Sequence, residues 1–254
     1  SSRIGRIGLL ERENATIMNA SLSDLSISLI ASFRDALARL NISAPFYISQ
    51  NDGTLMTADF AEKYPVLTFA SGPTNSMRGA AYLSGIKNAL VADIGGTTTD
   101  VGMLVNGFPR ESTVTVDIGG VRTNFRMPDI LALGLGGGSL VKLNSNIKIG
   151  PESVGFRIKD AARTFGGDIL TATDIAVAAG HADIGDRSRL SDLSPTFIDE
   201  SLGVIHRMLE NLVDRMKTSS NEVPLILVGG GSILVNRDIA GVSEIIVPDH
   251  AGVA

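Results

Sequence analysis

Asp93-Ile94-Gly95-Gly96-Thr97-Thr98-Thr99-Asp100 is the stretch on which the reading of this chain turns. The apolar run Ala89-Leu90-Val91-Ala92 leads in, and Val101-Gly102-Met103-Leu104-Val105 leads out. That is the pattern of a strand, a tight glycine turn and a second strand. Gly95 and Gly96 let the backbone come close to a ligand. Thr97, Thr98 and Thr99 add hydroxyls and N–H groups to the same turn, and Asp93 and Asp100 put an acid at either end. Such a turn can wrap a phosphate with N–H donors while a carboxylate holds the phosphate's hydrated cation. The alternative is a plain hairpin with a Gly-Gly turn, which does not need three threonines between two acids.

Two further glycine loops stand out from this hairpin. Pro224-Leu225-Ile226-Leu227-Val228 is apolar throughout, as expected of a strand buried on both faces, and Gly229-Gly230-Gly231-Ser232 follows it directly. Glycines at the end of a buried strand leave room for a ligand, and a helix expected from near Ile233 would point its N–H groups at that ligand. The other loop is Gly134-Leu135-Gly136-Gly137-Gly138-Ser139. It suits a substrate or phosphate loop and a flexible bend equally well. Glu152, in Gly150-Pro151-Glu152-Ser153, can put a carboxylate beside that loop or can lie solvated in a turn.

The 254 residues are 44% hydrophobic with a net charge of -5, enough for one large or two small domains. No basic block suggests nucleic acid, and no apolar run is long enough to span a bilayer. There is no cysteine, which excludes disulfides and thiolate metal sites. A cytoplasmic protein is the expectation. His181, His206 and His250 have no metal-ligand spacing, and His206 is expected to be structural. Neither a Gly-x-Ser-x-Gly elbow nor a P-loop is present. The chain begins Ser1-Ser2-Arg3 and stops at Ala254, soon after the strand-like Glu244–Val247, so a longer polypeptide with a further helix is expected.

Residues 1–20 read as polar and irregular. Leu22, Leu25, Leu29, Phe33, Leu37 and Leu40 recur at helical spacing. Pro45–Ile48 reads as a short strand, and Ala70-Ser71-Gly72-Pro73 as a turn before a small-residue helix at Met77–Tyr82. Further strands are expected at Glu111–Val116, Leu140–Leu143 and Ile147–Ile149, with a plain turn at Asp117-Ile118-Gly119-Gly120. Thr173 is a candidate cap for a helix ending near Gly180. Ser194-Pro195 starts a long amphipathic helix through Ile198, Leu202, Ile205, Leu209, Leu212 and Met216. Strands alternating with helices give an α/β domain.

The 93–100 stretch resembles the phosphate hairpin of the actin, sugar-kinase and heat-shock chaperone ATPase superfamily. Glu11-Arg12-Glu13-Asn14-Ala15-Thr16 with Asn19-Ala20, Ser71-Gly72-Pro73, Asp129 with the Gly134–Ser139 loop, Gly150-Pro151-Glu152-Ser153 and Thr171-Ala172-Thr173-Asp174 narrow the resemblance. Taken in order along nearly the whole chain, they resemble the hydantoinase/oxoprolinase family, in its A-type ATP-binding subunit. The resemblance implies an α/β, ribonuclease-H-like (actin-like ATPase) fold with a mixed sheet flanked by helices. It also implies ATP-dependent ring opening of a cyclic amide, such as a hydantoin or 5-oxoproline, with a B-type subunit as partner in an oligomer. Relatives in that family serve as subunits of ATP-dependent ketone carboxylases.

Carried over by residue, the resemblance gives Asp93 to Mg²⁺ through water, with Asp100 orienting the turn or the metal water. Gly95, Gly96, Thr97, Thr98 and Thr99 fall to the ATP phosphates, and Gly229, Gly230, Gly231 and Ser232 to the nucleoside side. Gly136, Gly137, Gly138, Ser139 and Glu152 fall near the transferred phosphate or the substrate. In this reading residues 1–254 are the C-terminal domain of a larger chain, with a helical, linking segment at 1–88 and the ATPase-type core at 89–254. Nothing before residue 93 matches the Asp-Gly-Gly-Thr hairpin of an upstream domain. Where relatives continue Pro-Gly-Pro-Ala-Cys-Tyr-Gly, this sequence has Phe156-Arg157-Ile158-Lys159-Asp160-Ala161-Ala162-Arg163. A small-metabolite kinase, with Asp117 or Asp129 as base, and a non-enzymatic actin-like ATPase module remain as alternatives.

Overall fold

The structure, a computed structural model, describes residues 4–5, 8–112, 116–143 and 145–253. It divides into two compact units, Ser1–Asn75 with Phe108–Asp129, and Ser76–Gly107 with Ile130–Ala254. The expected division at 88/89 differs from this one, which falls inside the helix Ser71–Ser84. Met77 and Ala80 on that helix pack with Val91, Leu104 and Ile226, so its second half belongs with the sheet.

The second unit is built on a mixed sheet. Its strands lie in the order Val242–Ile246, Val223–Val228, Ala89–Ile94, Thr99–Val105 and Ile130–Leu133. The first three run parallel, and the remaining pairings are antiparallel. Side-chain alternation assigns the two faces. Leu90, Ala92, Leu225 and Leu227 join one core with Ile175 and Ala176, and with Leu202, Ile205 and Leu209 of the helix Pro195–Met216. Val91, Ile226 and Val228 join the other with Met77 and Ala80. The 223–228 strand is therefore buried on both faces, as its apolar run requires.

Local chemistry fixes the helices. Ser194 Oγ accepts from Phe197 N, and Pro195 supplies a helical φ, so the long helix starts there. The helix Ala172–Ala179 is capped by Thr171 rather than Thr173. Thr171 Oγ1 accepts from Asp174 N, and the Asp174 carboxylate answers Thr171 N at 2.8 Å, a reciprocal capping box. Gly180, at φ +83°, ends this helix. The helix expected from Ile233 is only a three-residue 3₁₀ turn, Ser232–Leu234, before the edge strand Val242–Ile246.

In the first unit, residues expected to be irregular form the helix Leu10–Ser21. Its buried Ala15 packs with Val66 and Phe125. Packing of one small face, rather than local propensity, makes this helix. The stripe expected of residues 22–40 lies on the helix Ser23–Arg39, where Ile30 is buried with Met56 and Ala61 while Leu25, Leu29 and Phe33 are exposed. The first short strand is Tyr47–Ser49, paired antiparallel with Leu55–Thr57. The Gly119-Gly120 turn joins Val116–Ile118 to Val121–Thr123, with φ of +61° and +83° at the two glycines, as a two-residue hairpin turn demands. The strand expected at 111–116 lies partly outside the described residues. Among the described residues, no helix is long and apolar enough to cross a membrane.

Candidate functional site: a cleft of three glycine loops

The hairpin forms as its sequence requires. Asp93 and Asp100 are direct cross-strand partners, and Gly95 N donates to Thr98 O at 2.9 Å to close the turn. Like charges opposite one another in a sheet repel. Burial first, and then the charge of Asp93, hold the Asp100 carboxyl above its usual range. A cation between the two acids would relieve both costs.

The other two glycine loops are hydrogen-bonded onto this turn. Gly137 N donates to Gly95 O at 2.9 Å, and Gly138 N to Gly96 O at 2.7 Å. Ser153 Oγ reaches Gly96 O at 3.3 Å. From the other side, Gly231 N donates to Ile94 O at 2.7 Å. The closeness of these backbones is what excludes side chains. A Cβ on Gly136 would lie 2.5 Å from Thr97 N, one on Gly231 2.5 Å from Ile94 Cγ2, and one on Gly138 2.9 Å from Gly96 O. Gly229, at φ +85°, would press a Cβ onto Asp93 Oδ1. The glycines thus pack against each other to make one floor, with Asp93 and Asp100 on the two strands that enter and leave the turn.

Above that floor is a cleft of about 250 Å³, lined by Gly95, Gly96, Gly137, Gly230 and Gly231 and walled by Ile158, Lys159, Phe165, Thr173, Ile184 and Ile233. The backbone N–H groups of Gly96, Thr97 and Thr98 donate to no acceptor among the described residues, and all three residues are exposed. They remain available to an anion.

Several expected ligand residues serve the scaffold instead. Thr99 is fully buried, and its Oγ1 donates to Leu135 O at 2.7 Å. That bond ties the second strand of the hairpin to the 134–138 loop and withdraws the hydroxyl from any ligand. Ser139, also fully buried, accepts from Gly136 N at 2.9 Å and holds the loop closed. Glu152 pairs with Lys142 at 2.5 Å, and that hydrogen bond keeps its carboxyl below the usual range. Without a helix behind Ser232, the 229–232 loop contributes close backbone rather than a helix dipole. Ser232 N is used by Gly229 O at 3.1 Å. The two kinase-base candidates are committed within the first unit: Asp117 accepts from Gly120 N, and Asp129 pairs with Arg110 at 2.7 Å.

Sequence reasoning missed the walls. Ile158 and Lys159 lie in a four-residue helix, Phe165 in a three-residue 3₁₀ turn and Ile184 in a loop, elements too short to show a periodicity. Thr173, taken as a helix cap, faces the cleft and donates its N–H to Gly137 O at 2.8 Å.

The model of the Hydantoinase/oxoprolinase family matches residues 12–187, a span that covers more than half of the chain. The chain belongs to the hydantoinase/oxoprolinase family. Among curated proteins, it is 29% identical over 186 residues to the acetophenone carboxylase gamma subunit of Aromatoleum aromaticum, covering 71% of this chain and 25% of that protein. It is 28% identical over 210 residues to the acetone carboxylase beta subunit of Xanthobacter autotrophicus, covering 76% and 29%. It is 27% identical over 210 residues to the caprolactamase subunit alpha of Pseudomonas jessenii, covering 76% and 30%. The chain therefore spans between a quarter and a third of the length of these relatives.

Solved structures share its fold. Nucleotide-free acetone carboxylase superimposes with a TM-score of 0.66 at 21% identity, over 88% of this chain and 36% of that one. The ATP-dependent caprolactamase of Pseudomonas jessenii gives 0.68 at 21% identity, over 85% and 36%. The α/β fold, a mixed sheet flanked by helices, is that of the ribonuclease-H-like, actin-like ATPases.

Proposed function

We propose that this chain supplies the ATP-binding part of an enzyme that opens a cyclic amide, such as a hydantoin or 5-oxoproline. The observation that carries the reading is the meeting of three glycine loops over Asp93 and Asp100, in a chain of the hydantoinase/oxoprolinase family. Mg²⁺ and ATP fit the residues present. The floor lacks the Cβ atoms that would fill it, the N–H groups of three exposed residues have no acceptor among the described residues, and apolar walls at Ile158, Phe165 and Ile233 suit a nucleoside. Among the described residues, no group of three or more His, Asp or Glu gathers to hold a metal. A pair of carboxylates with water and phosphate completing the shell is the Mg²⁺ pattern.

Bound ATP would supply a phosphoryl group for the amide carbonyl oxygen, which would make the carbonyl carbon a stronger electrophile for water, with the ring nitrogen as the group that leaves. The residues of this chain would position the nucleotide. Gly96, Thr97 and Thr98 would donate N–H bonds to phosphate oxygens, Asp93 would accept from a water of the metal, and Asp100 would orient a second water. Such catalysis rests on placement and charge stabilisation rather than on a protein nucleophile. Glu152 and the side chains of Thr99 and Ser139 take no direct part.

The acetophenone and acetone carboxylase relatives support a second reading, in which the same cleft activates a ketone for carboxylation. All three curated relatives are named as subunits, which supports a B-type partner subunit and an oligomer in either case. The test is ADP release by the complete protein with its partner subunit, across hydantoins, 5-oxoproline, simple sugars, and ketones with bicarbonate. ADP formed in step with ring opening supports the amidase reading, whereas turnover only with ketone and bicarbonate replaces it. Turnover with sugars alone moves the protein to the kinases.

A further inference from the structure

We propose that Lys159 is the cation that reads the phosphate chain of the nucleotide in this cleft, an assignment that rests on the nucleotide reading above. Lys159 lines the cleft beside Gly95, Gly96, Gly137 and Gly230 and is the one positively charged residue that does so among the described residues. It is exposed, and no carboxylate among the described residues lies within ion-pair distance of it. Three other cations of this unit are committed elsewhere. Lys142 pairs with Glu152 at 2.5 Å, Arg163 pairs with Asp192 at 2.6 Å, and Lys217 Nζ donates to Gly241 O at 2.6 Å.

The segment that carries Lys159 is packed against the phosphate end of the cleft. Ser153 Oγ bonds to Gly96 O. A Cβ at Gly155 would stand 4.0 Å from Thr97 Oγ1, and one at Gly137 3.9 Å from Ile158 Cδ1. The chain then enters the short helix Ile158–Ala161, which sets the Lys159 stem along the cleft wall. The glycine turn at this end is flanked by two acids, Asp93 and Asp100, paired across the hairpin. A polyphosphate brought next to them needs positive charge beyond that of one Mg²⁺. A flexible ammonium with three donors is the side chain that follows a phosphate chain as a point charge.

The role predicts a phosphate-dependent loss that a structural lysine would not show. The experiment is equilibrium binding of ATP, ADP and adenosine to the complete protein in Mg²⁺ buffer, at two salt concentrations, for the parent, Lys159→Met and Lys159→Arg. Lys159→Met should weaken ATP by about tenfold or more, the scale of a charged hydrogen bond. Adenosine should change by less than about twofold, and the salt dependence of ATP binding should become shallower. Lys159→Arg should recover part of the loss. Thermal melting should be unchanged, because the side chain is exposed. Equal losses for ATP and adenosine, or no loss for ATP, would overturn the assignment while leaving the nucleotide reading in place. A parent protein that binds none of the three would overturn both.

Discussion

Gly136→Ala is the substitution whose consequence the geometry fixes most tightly. The added methyl would stand 2.5 Å from Thr97 N, 2.6 Å from Gly96 C and 2.7 Å from Gly95 O. All three are backbone atoms of the hairpin turn, so no side-chain rotation relieves the overlap. Ordinary carbon contacts begin near 3.5 Å, so the two loops must part by roughly 1 Å. Forcing a methyl into a packed site costs about 1–3 kcal/mol. The displacement also breaks or stretches the bonds from Gly137 N to Gly95 O and from Gly138 N to Gly96 O, each contributing about 1 kcal/mol. The total is about 3–5 kcal/mol. For a domain of this size, about 2–4 °C of melting temperature is lost per kcal/mol, giving a fall of roughly 6–20 °C. Differential scanning calorimetry of the parent and the variant without nucleotide measures it directly. A variant that melted within about 2 °C of the parent would show that the loops are not in the observed contact, and the common floor of the cleft would have to be abandoned.

Gly96→Ala is the contrasting case, because its Cβ would meet nothing within 4 Å. Melting should move by no more than about 0.5 kcal/mol equivalent, while Mg·ATP affinity, measured by calorimetric titration, should fall by about tenfold as the methyl enters the open cleft. Asp100 tests the pH dependence. Its folded pKa is raised, so the native state holds the proton more tightly and this residue adds stability as pH falls through the folded pKa, the gain being complete below the unfolded value of 3.8. In metal-free urea titrations, Asp100→Asn should be the more stable protein at pH 7, and the difference should vanish at pH values below that unfolded pKa. The buried Asp174 accepts from Thr164 N at 2.7 Å and from Thr171 N and Oγ1 at 2.8 Å. Asp174→Ala strands these donors and should cost about 3–5 kcal/mol in urea unfolding.

The hairpin was legible in the sequence because its chemistry is local: two apolar strands, two glycines and two acids specify one turn. The same holds for the long helix, where Ser194-Pro195 and the leucine spacing act together. The Leu10–Ser21 helix was not legible, since Glu11-Arg12-Glu13-Asn14 hides a face whose one buried residue, Ala15, is paid for by Val66 and Phe125, distant in sequence. The expected helix after Ser232 failed for the opposite reason. A glycine loop after a buried strand is a common local signal, but here the chain makes one 3₁₀ turn and returns to the sheet edge. At the site, the sequence pointed to all three glycine loops but not to the division of labour within them. That Thr99 and Ser139 brace the loops depends on Leu135 O and Gly136 N, which only the folded chain brings to them. Lys159 and Phe165 carry no local signal, because only the folded connection sets them on the cleft wall.

The measurement that bears most directly on the central claim is equilibrium binding of a non-hydrolysable ATP analogue to the complete protein, with and without Mg²⁺, for the parent and Asp93→Ala. The account predicts saturable, Mg²⁺-dependent binding by the parent. It also predicts a loss of about 10–100-fold in Asp93→Ala, the scale of one charged hydrogen bond, with the fold retained. Binding that ignores Mg²⁺ and is equal in the two proteins, or no binding by the parent, would contradict it.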